Sequence, residues 1–380
     1  MLEFLTLKPK AFGLDISDLS LKLAKLEKNK RGFTLVSFLR KEITPGIIEK
    51  GEIKNQDALI DIIKSSISEV KGKPLDTKYV VASLPEEKTF LQVIQLPLLK
   101  EEEVKEAAKF EAENYIPFPI NQVYLDSRIV KPVSGRLDHL DVLIAAIPKA
   151  TVDPYVFCLK KAGLVPLALE IESQATARAL VKDQVSSFPL LLLDIGATRT
   201  SFIVFLGHSI RFTSSIPIAS EEFTRAIARN LKLNLKEAEV FKLKYGLLGP
   251  KKVELEGKEE DVFEKKIKRE ERFFKAFIAV LTDFTEEIKK RIDYYQSHIS
   301  REHLPPDGKG IEKILLCGGG ANLKALDQFF SSELKTPTTL ANPWINILPE
   351  DKKEVPQLPF KESLSFATAL GLALKGTREA

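Results

Sequence analysis

Residues 11–27 alternate between apolar runs and a polar break: AFGLDI, then SDLS, then LKLAKL. Short apolar runs split by a polar turn predict a β-hairpin. A second turn at Asn29–Gly32 and the run FTLVSFLRKEI extend it to three strands. Leu59, Ile60, Ile63 and Ile67 recur at helical spacing and predict a helix over 56–70. YVVASL reads as a buried strand, and in TFLQVIQLP the residues Phe90, Val93 and Leu96 are expected to face a core. The helical pattern of Lys100–Tyr115 starts with Glu101, Glu102 and Glu103, where the helix dipole favours acids. Pro117 and Pro119 stop it. VYLDSRIV and DVLIAAIP are two further strands, so 76–150 reads as a β-α-β-β module set into something larger.

The second half repeats the opening. After a helix over 152–162, the run VPLALEIES and the helix ESQATARAL, the chain reads LLLLDIGATRTSFIVFLG. A strand again ends in an acid, a turn follows, and a second strand begins. Two hairpins of one design about 180 residues apart imply an internal duplication. Phe274, Phe277, Ile278, Leu281, Phe284, Ile288, Ile292 and Tyr295 predict one face of a long helix. IEKILLCGGGANLKAL follows as strand, glycine turn and helix, and SLSFATALGLAL is a small-residue helix suited to close packing.

Composition narrows the classes. The chain has 380 residues, 44% hydrophobic and 29% charged, a soluble globular balance with room for two or three domains. A formal net charge of +4 argues against a nucleic-acid binder. The run Lys251–Arg272 holds eight basic and eight acidic residues, so it cancels and reads as a solvated loop and helix start. Cys158 and Cys317, both in apolar surroundings, read as buried inert thiols in a reducing cytosol. Met1–Lys10 carries no signal-peptide pattern, and no apolar stretch approaches the ~20 residues of a membrane helix. Any membrane link is then expected through a partner. His139, His208, His298 and His303 are scattered and form no metal pair in the sequence.

The hairpin turns carry the candidate chemistry. Phosphate oxygens need backbone N–H donors brought close, which glycine permits. A carboxylate at the strand end can hold hydrated Mg²⁺ against them. In Asp194–Thr200, Gly196 opens the turn, Thr198 and Thr200 bring hydroxyls, and Arg199 brings charge. Gly318, Gly319 and Gly320 stand between a strand and a helix, where a flat ligand could lie on the backbone. Read alone, each is equally an ordinary tight turn.

Several stretches together carry a resemblance. KEEEVKEAAKFEAENYIPFPINQVYLD, VLIAAIPKATVDPYVFCLKKAGLVPLALEIESQATARAL, TRAIARNLKLNLKEAEVFKLKYG and FATALGLAL resemble the PilM family of type IV pilus assembly proteins, within the actin-like ATPase superfamily. The likeness covers nearly the whole chain, and outside the family the cell-division protein FtsA shares the inserted-subdomain design. It implies an α/β actin-like ATPase fold, with duplicated ribonuclease-H-like domains and an inserted small α+β, SHS2-like subdomain. On that pattern 1–75 begins the first domain, 76–150 is the insert, 151–185 returns to the first domain, and 186–380 is the second. The resemblance also implies ATP and Mg as cofactors. Asp15, Ser17, Asp18, Ser20 and Lys22 fall on the first phosphate loop, and Asp194, Gly196, Ala197, Thr198 and Thr200 on the second. Asp15 and Asp194 would hold Mg through water. Glu172 falls where an acid orders metal and water and could serve as a base; it is equally a helix-starting glutamate. Glu239 and Lys242 would flank the adenosine, opposite Gly318, Gly319, Gly320 and Ala321; they are equally a surface helical pair.

The resemblance implies a cytoplasmic adaptor, peripheral to the inner membrane through its partners. It would bind a PilN-like inner-membrane protein through a short N-terminal I-N-x-L-P peptide, in a groove between the first domain and the insert, beside pilus assembly ATPases. The alternatives are an active Mg-ATPase and an FtsA-like scaffold; the final KGTREA lacks an amphipathic membrane helix. One departure stands out. Ser17 and Asp18 replace the glycine and small hydroxyl residue usual in the first loop. Serine bends there at a cost if φ is positive, and Asp18 would repel the terminal phosphate. ATP is therefore expected to bind weakly or not at all, with at most slow hydrolysis. The chain's own Ile345–Pro349, INILP, matches the peptide pattern and is expected to be a connection rather than a self-ligand.

Overall fold

A computed structural model describes residues 9–30, 32–131, 138–248, 260–298, 310–348 and 357–378. The first lobe begins with β1 (Phe12–Ile16), β2 (Ser20–Asn29) and β3 (Gly32–Glu42). Next come the two-residue strands β4 (Ile48–Glu49) and β5 (Glu52–Ile53), then α1 (Gln56–Ser68), β6 (Lys71–Gly72) and β7 (Tyr79–Leu84). Asn55 caps α1, its side chain accepting from the Ala58 N–H. The insert comprises β8 (Phe90–Pro97), α2 (Glu101–Ala112), β9 (Val123–Val130) and β10 (His139–Pro148). The chain returns through α3 (Lys149–Lys161), β11 (Val165–Ile171) and α4 (Glu172–Leu180).

The second lobe holds β12 (Ser186–Ile195), β13 (Thr200–Gly207) and β14 (Ser209–Ile216). Helices α5 (Ser220–Leu231), α6 (Leu235–Tyr245) and α7 (Glu260–His298) follow. The lobe closes with β15 (Lys313–Cys317), α8 (Leu326–Leu334), β16 (Thr338–Leu340), α9 (Phe360–Ser363) and α10 (Ala367–Arg378).

The duplication is visible in the sheets. The first runs β11-β7-β1-β2-β3-β6 and the second β14-β13-β12-β15-β16. Both set an antiparallel three-strand meander beside two parallel strands: β7 and β11 in one, β15 and β16 in the other. The repeat reaches the helices: α4 carries Ala175-Thr176-Ala177 and α10 carries Ala367-Thr368-Ala369. The two helices pack together and the hydroxyls of Thr176 and Thr368 meet at 2.9 Å, buried. Gly371 makes the approach possible, since a Cβ there would fall 1.8 Å from the Ala175 carbonyl oxygen.

Several expectations need correction. β7 pairs in parallel with β1 and β11, so it belongs to the large sheet, and the insert's own three-stranded sheet, β8-β10-β9, begins at Phe90 rather than at 76. Strand side chains alternate with period two. Ile94 and Leu96 are therefore buried, with Phe90 packed beside them, while Val93 is only half-buried. On α7, Phe277, Leu281, Phe284, Ile288 and Tyr295 are buried, but Ile278 is 57% exposed because it sits one residue off the stripe. Residues 251–259 of the charged run lie outside the described residues, as do the side chains of 260–276, Phe274 among them; 260–272 form the start of α7.

Residues 345–348 form an internal tie, as expected of a connection. Ile347 is buried, and its carbonyl accepts from the Phe33 N–H. Asn346 donates to the carbonyls of Arg178 and Val181, which end α4, and accepts from the Asp183 N–H. Pro349 lies outside the described residues. The insert in turn rests on the second lobe. Asp141 of β10 accepts from Arg211 of β14 at 2.9 Å, with both side chains buried. Among the described residues, no helix is long and apolar enough to cross a membrane.

Candidate functional site

The two hairpin turns face each other across a cleft of about 850 Å³ between the lobes. That volume lies within the ~300–1,000 Å³ usual for small-molecule sites. Hairpin register explains the first wall. Asp15 and Lys22 stand directly opposite on β1 and β2, and their side chains pair at 3.0 Å. The Ser83 hydroxyl donates to the other Asp15 oxygen at 3.2 Å. The turn itself needs no glycine, because Ser17 does not adopt a positive φ. Its N–H and its hydroxyl both donate to the Ser20 carbonyl at 3.0 Å, and the two hydroxyls meet at 3.1 Å.

Asp18 departs from expectation. Its carboxylate accepts from the N–H groups of Lys50 and Gly51, at 3.1 and 2.9 Å, in the turn between β4 and β5. It also lies 3.9 Å from an Arg199 nitrogen. Asp18 therefore lines the cleft as a carboxylate held by main-chain N–H groups.

The second wall is the turn between β12 and β13. Asp194, Gly196, Ala197, Thr198 and Arg199 all line the cleft. Thr200 does not: it is fully buried and its hydroxyl donates to the Ile218 carbonyl. Ser201 lines the cleft in its place, opposite Asp194 in the hairpin register, as Lys22 is opposite Asp15. The seven-residue offset from acid to partner, read from the first hairpin, identifies it. Glu172 opens α4 at the base of the cleft, where both its oxygens accept from Arg199 at 2.8 and 2.7 Å. Burial pushes the Glu172 carboxyl up to about 7 while Arg199 pulls it down. Burial also raises Asp194 to about 6, against the pull of Lys22.

Glu239, Lys242 and the three glycines line the far end. Lys242 is buried rather than a surface residue. It donates to the Ser220 carbonyl and hydroxyl, to the Thr224 hydroxyl and to Glu239, tying α5 to α6. Burial pulls its pKa below the ordinary lysine value. Gly318 holds φ at +81°, with Asp194 Oδ1 2.4 Å from where a Cβ would stand. Gly319 has nothing within 4 Å on its Cβ side, an open floor for a flat ligand. Ala321 is buried, its N–H bonded to the Gly318 carbonyl, and lies off the cleft. Ser220, Asn322, Lys324 and Lys361 also line this end and carry no local motif that would announce them.

These residues fit a nucleotide: an open glycine floor, hydroxyls and cations around a cleft of the right size. They fit a divalent cation poorly. Asp15 is engaged by Lys22 and Ser83, and Asp194 faces the Cys317 thiol. Among the described residues no group of three or more His, Cys, Asp or Glu could hold a metal ion. Both cysteines are buried and burial raises both thiols, Cys158 to about 11, so they are inert.

Comparison with known proteins identifies the family and the fold. The family model described as type IV pilus assembly protein PilM matches residues 13–377. A solved PilM-PilN type IV pilus biogenesis complex has a TM-score of 0.76 and 27% identity, covering 98% of this chain and 100% of that one. MreB5 of Spiroplasma citri bound to AMPPNP, at 15% identity and a TM-score of 0.51, covers 98% of this chain and 96% of its own, and shares the fold. Cell division protein FtsA of Neisseria meningitidis serogroup B is 22% identical over 219 residues, 53% of each chain. The match thus spans about half the length of that curated relative.

Proposed function

Because the chain belongs to the PilM family of type IV pilus assembly proteins, we propose that it is an adaptor of a pilus-type assembly machine, binding the cytoplasmic N-terminal tail of a PilN-like inner-membrane protein. The observation that carries this is the family match over residues 13–377, together with the full-length likeness to a PilM-PilN complex. Such a tail would bring the protein to the inner membrane, which no helix among the described residues is long and apolar enough to cross. A nucleotide in the interlobe cleft is a structural or regulatory ligand. Glu172, the residue that would have to activate water, has both oxygens engaged by Arg199, which favours an adaptor over an ATPase.

The tail would lie where the insert meets the first lobe. Tyr124 of β9 and Phe157 of α3 are exposed there, 49% and 44%. Between them Asp153 accepts from the Tyr124 hydroxyl at 3.0 Å, and the Lys149 amine stands over the Tyr124 ring. Phe157 is one helical turn beyond Asp153. Among the described residues β9 pairs only with β10 and so is an edge strand, and aromatic rings beside a strand edge suit an extended peptide with apolar anchors. Hydrogen exchange of the full chain, with and without an I-N-x-L-P peptide, tests this. Protection should gather in 90–161; protection confined to 186–378 would refute the location.

A further inference from the structure

Arg199 belongs to the turn of the second hairpin, yet its guanidinium ends among acids of the first lobe. Nη2 donates to both oxygens of Glu172. Nη1 lies 3.9 Å from Asp18 and 3.7 Å from Glu87. Asp18 is in the first turn, Glu172 opens α4, and Glu87 sits on the link into the insert. Three segments of one lobe therefore converge on a cation supplied by the other. The residue is 8% exposed. Burial alone would lower its proton affinity, but Glu172, Glu87 and Asp18 hold it up, so it stays charged.

The cleft needs such a cation. Lys242, Lys324 and Lys361 line its far end, but Asp15, Asp18, Glu172 and Asp194 also line it, and Lys22 is spent on Asp15. A polyphosphate adds more negative charge. Phosphoryl-binding sites commonly meet this load with a divalent metal, but here the two strand-end carboxylates are already engaged, Asp15 by Lys22 and Ser83 and Asp194 by the Cys317 thiol. A guanidinium offers five N–H donors. Glu172 takes Nη2, while Nη1 makes only the two long acid contacts, leaving donors for an anion's oxygens.

We propose that Arg199 is the resident counter-ion of the cleft, standing in place of a divalent cation, so that a nucleoside polyphosphate is held without one. This rests on reading the cleft as a nucleotide site. Calorimetric titration of the full chain with ATP, once in excess magnesium and once in EDTA, tests it. The wild-type Kd should differ by less than about threefold between the buffers. Arg199→Gln should weaken binding in EDTA by at least about tenfold and recover part of it with magnesium. Glu172→Gln, which frees the guanidinium, should tighten binding in EDTA. A wild-type Kd that collapses in EDTA overturns the proposal, and so does a folded Arg199→Gln protein that matches wild type in both buffers. ATP that binds in neither buffer also overturns it; if the I-N-x-L-P peptide still binds, the adaptor reading stands.

Discussion

At Ser17 a single hydroxyl does what a glycine was expected to do. The side chain closes the turn onto Ser20, so the backbone never enters the positive-φ region. Asp18 stands out in the sequence, but its hydrogen bonds do not, because its partners, Lys50 and Gly51, lie 32 and 33 residues away. Side-chain chemistry was legible at Asp15 and Lys22, where strand register alone makes the pair. It was misread at Thr200, where parity turns the hydroxyl inward and presents Ser201. Asp194 carries a pH dependence. Its carboxyl rises from about 3.9 when unfolded to about 6 in the fold, so the folded state binds the proton more tightly. The resulting stability is present below about pH 4 and is lost as pH rises through about 6. Asp194→Asn should flatten the fall in melting temperature across that window relative to wild type. Parallel melting curves for the two proteins would show that Asp194 carries no such cost.

Elements follow the apolar pattern where one segment suffices to specify them. The hairpins, the insert's β-α-β-β order and the small-residue final helix are all found where periodicity places them. Pairing between distant strands is not encoded locally. YVVASL reads as a strand, but only the tertiary fold puts it beside β1 and outside the insert. The contact of α4 with α10 is similarly long-range, although the repeated Ala-Thr-Ala hints at it. This interface is the tightest test of the packing. Gly371→Ala places a methyl against backbone that cannot step aside, and should cost roughly 1–3 kcal/mol or more in urea unfolding. Gly319→Ala, with open space around it, should leave stability within about 1 kcal/mol. Equal losses at the two positions would contradict the close approach.

At the scale of the molecule, two copies of one sheet plan enclose a polar cleft, and a small module is set into the first copy. Arg199 joins the lobes inside the cleft, and the buried Asp141–Arg211 pair joins the insert to the second lobe outside it. The Asp141–Arg211 pair ties the insert to the second lobe, a coupling that the proposed adaptor role would use. The sequence carried this much through its duplication and family likeness, while the inter-lobe ion pairs depend on residues far apart in the chain. The adaptor role is most directly tested by titrating a fluorescent I-N-x-L-P peptide into the full chain and following anisotropy. Saturable binding is expected, weakened at least about tenfold by Tyr124→Ala with Phe157→Ala. No binding by the folded wild-type protein would refute it, and binding untouched by the double substitution would refute the proposed location of the tail.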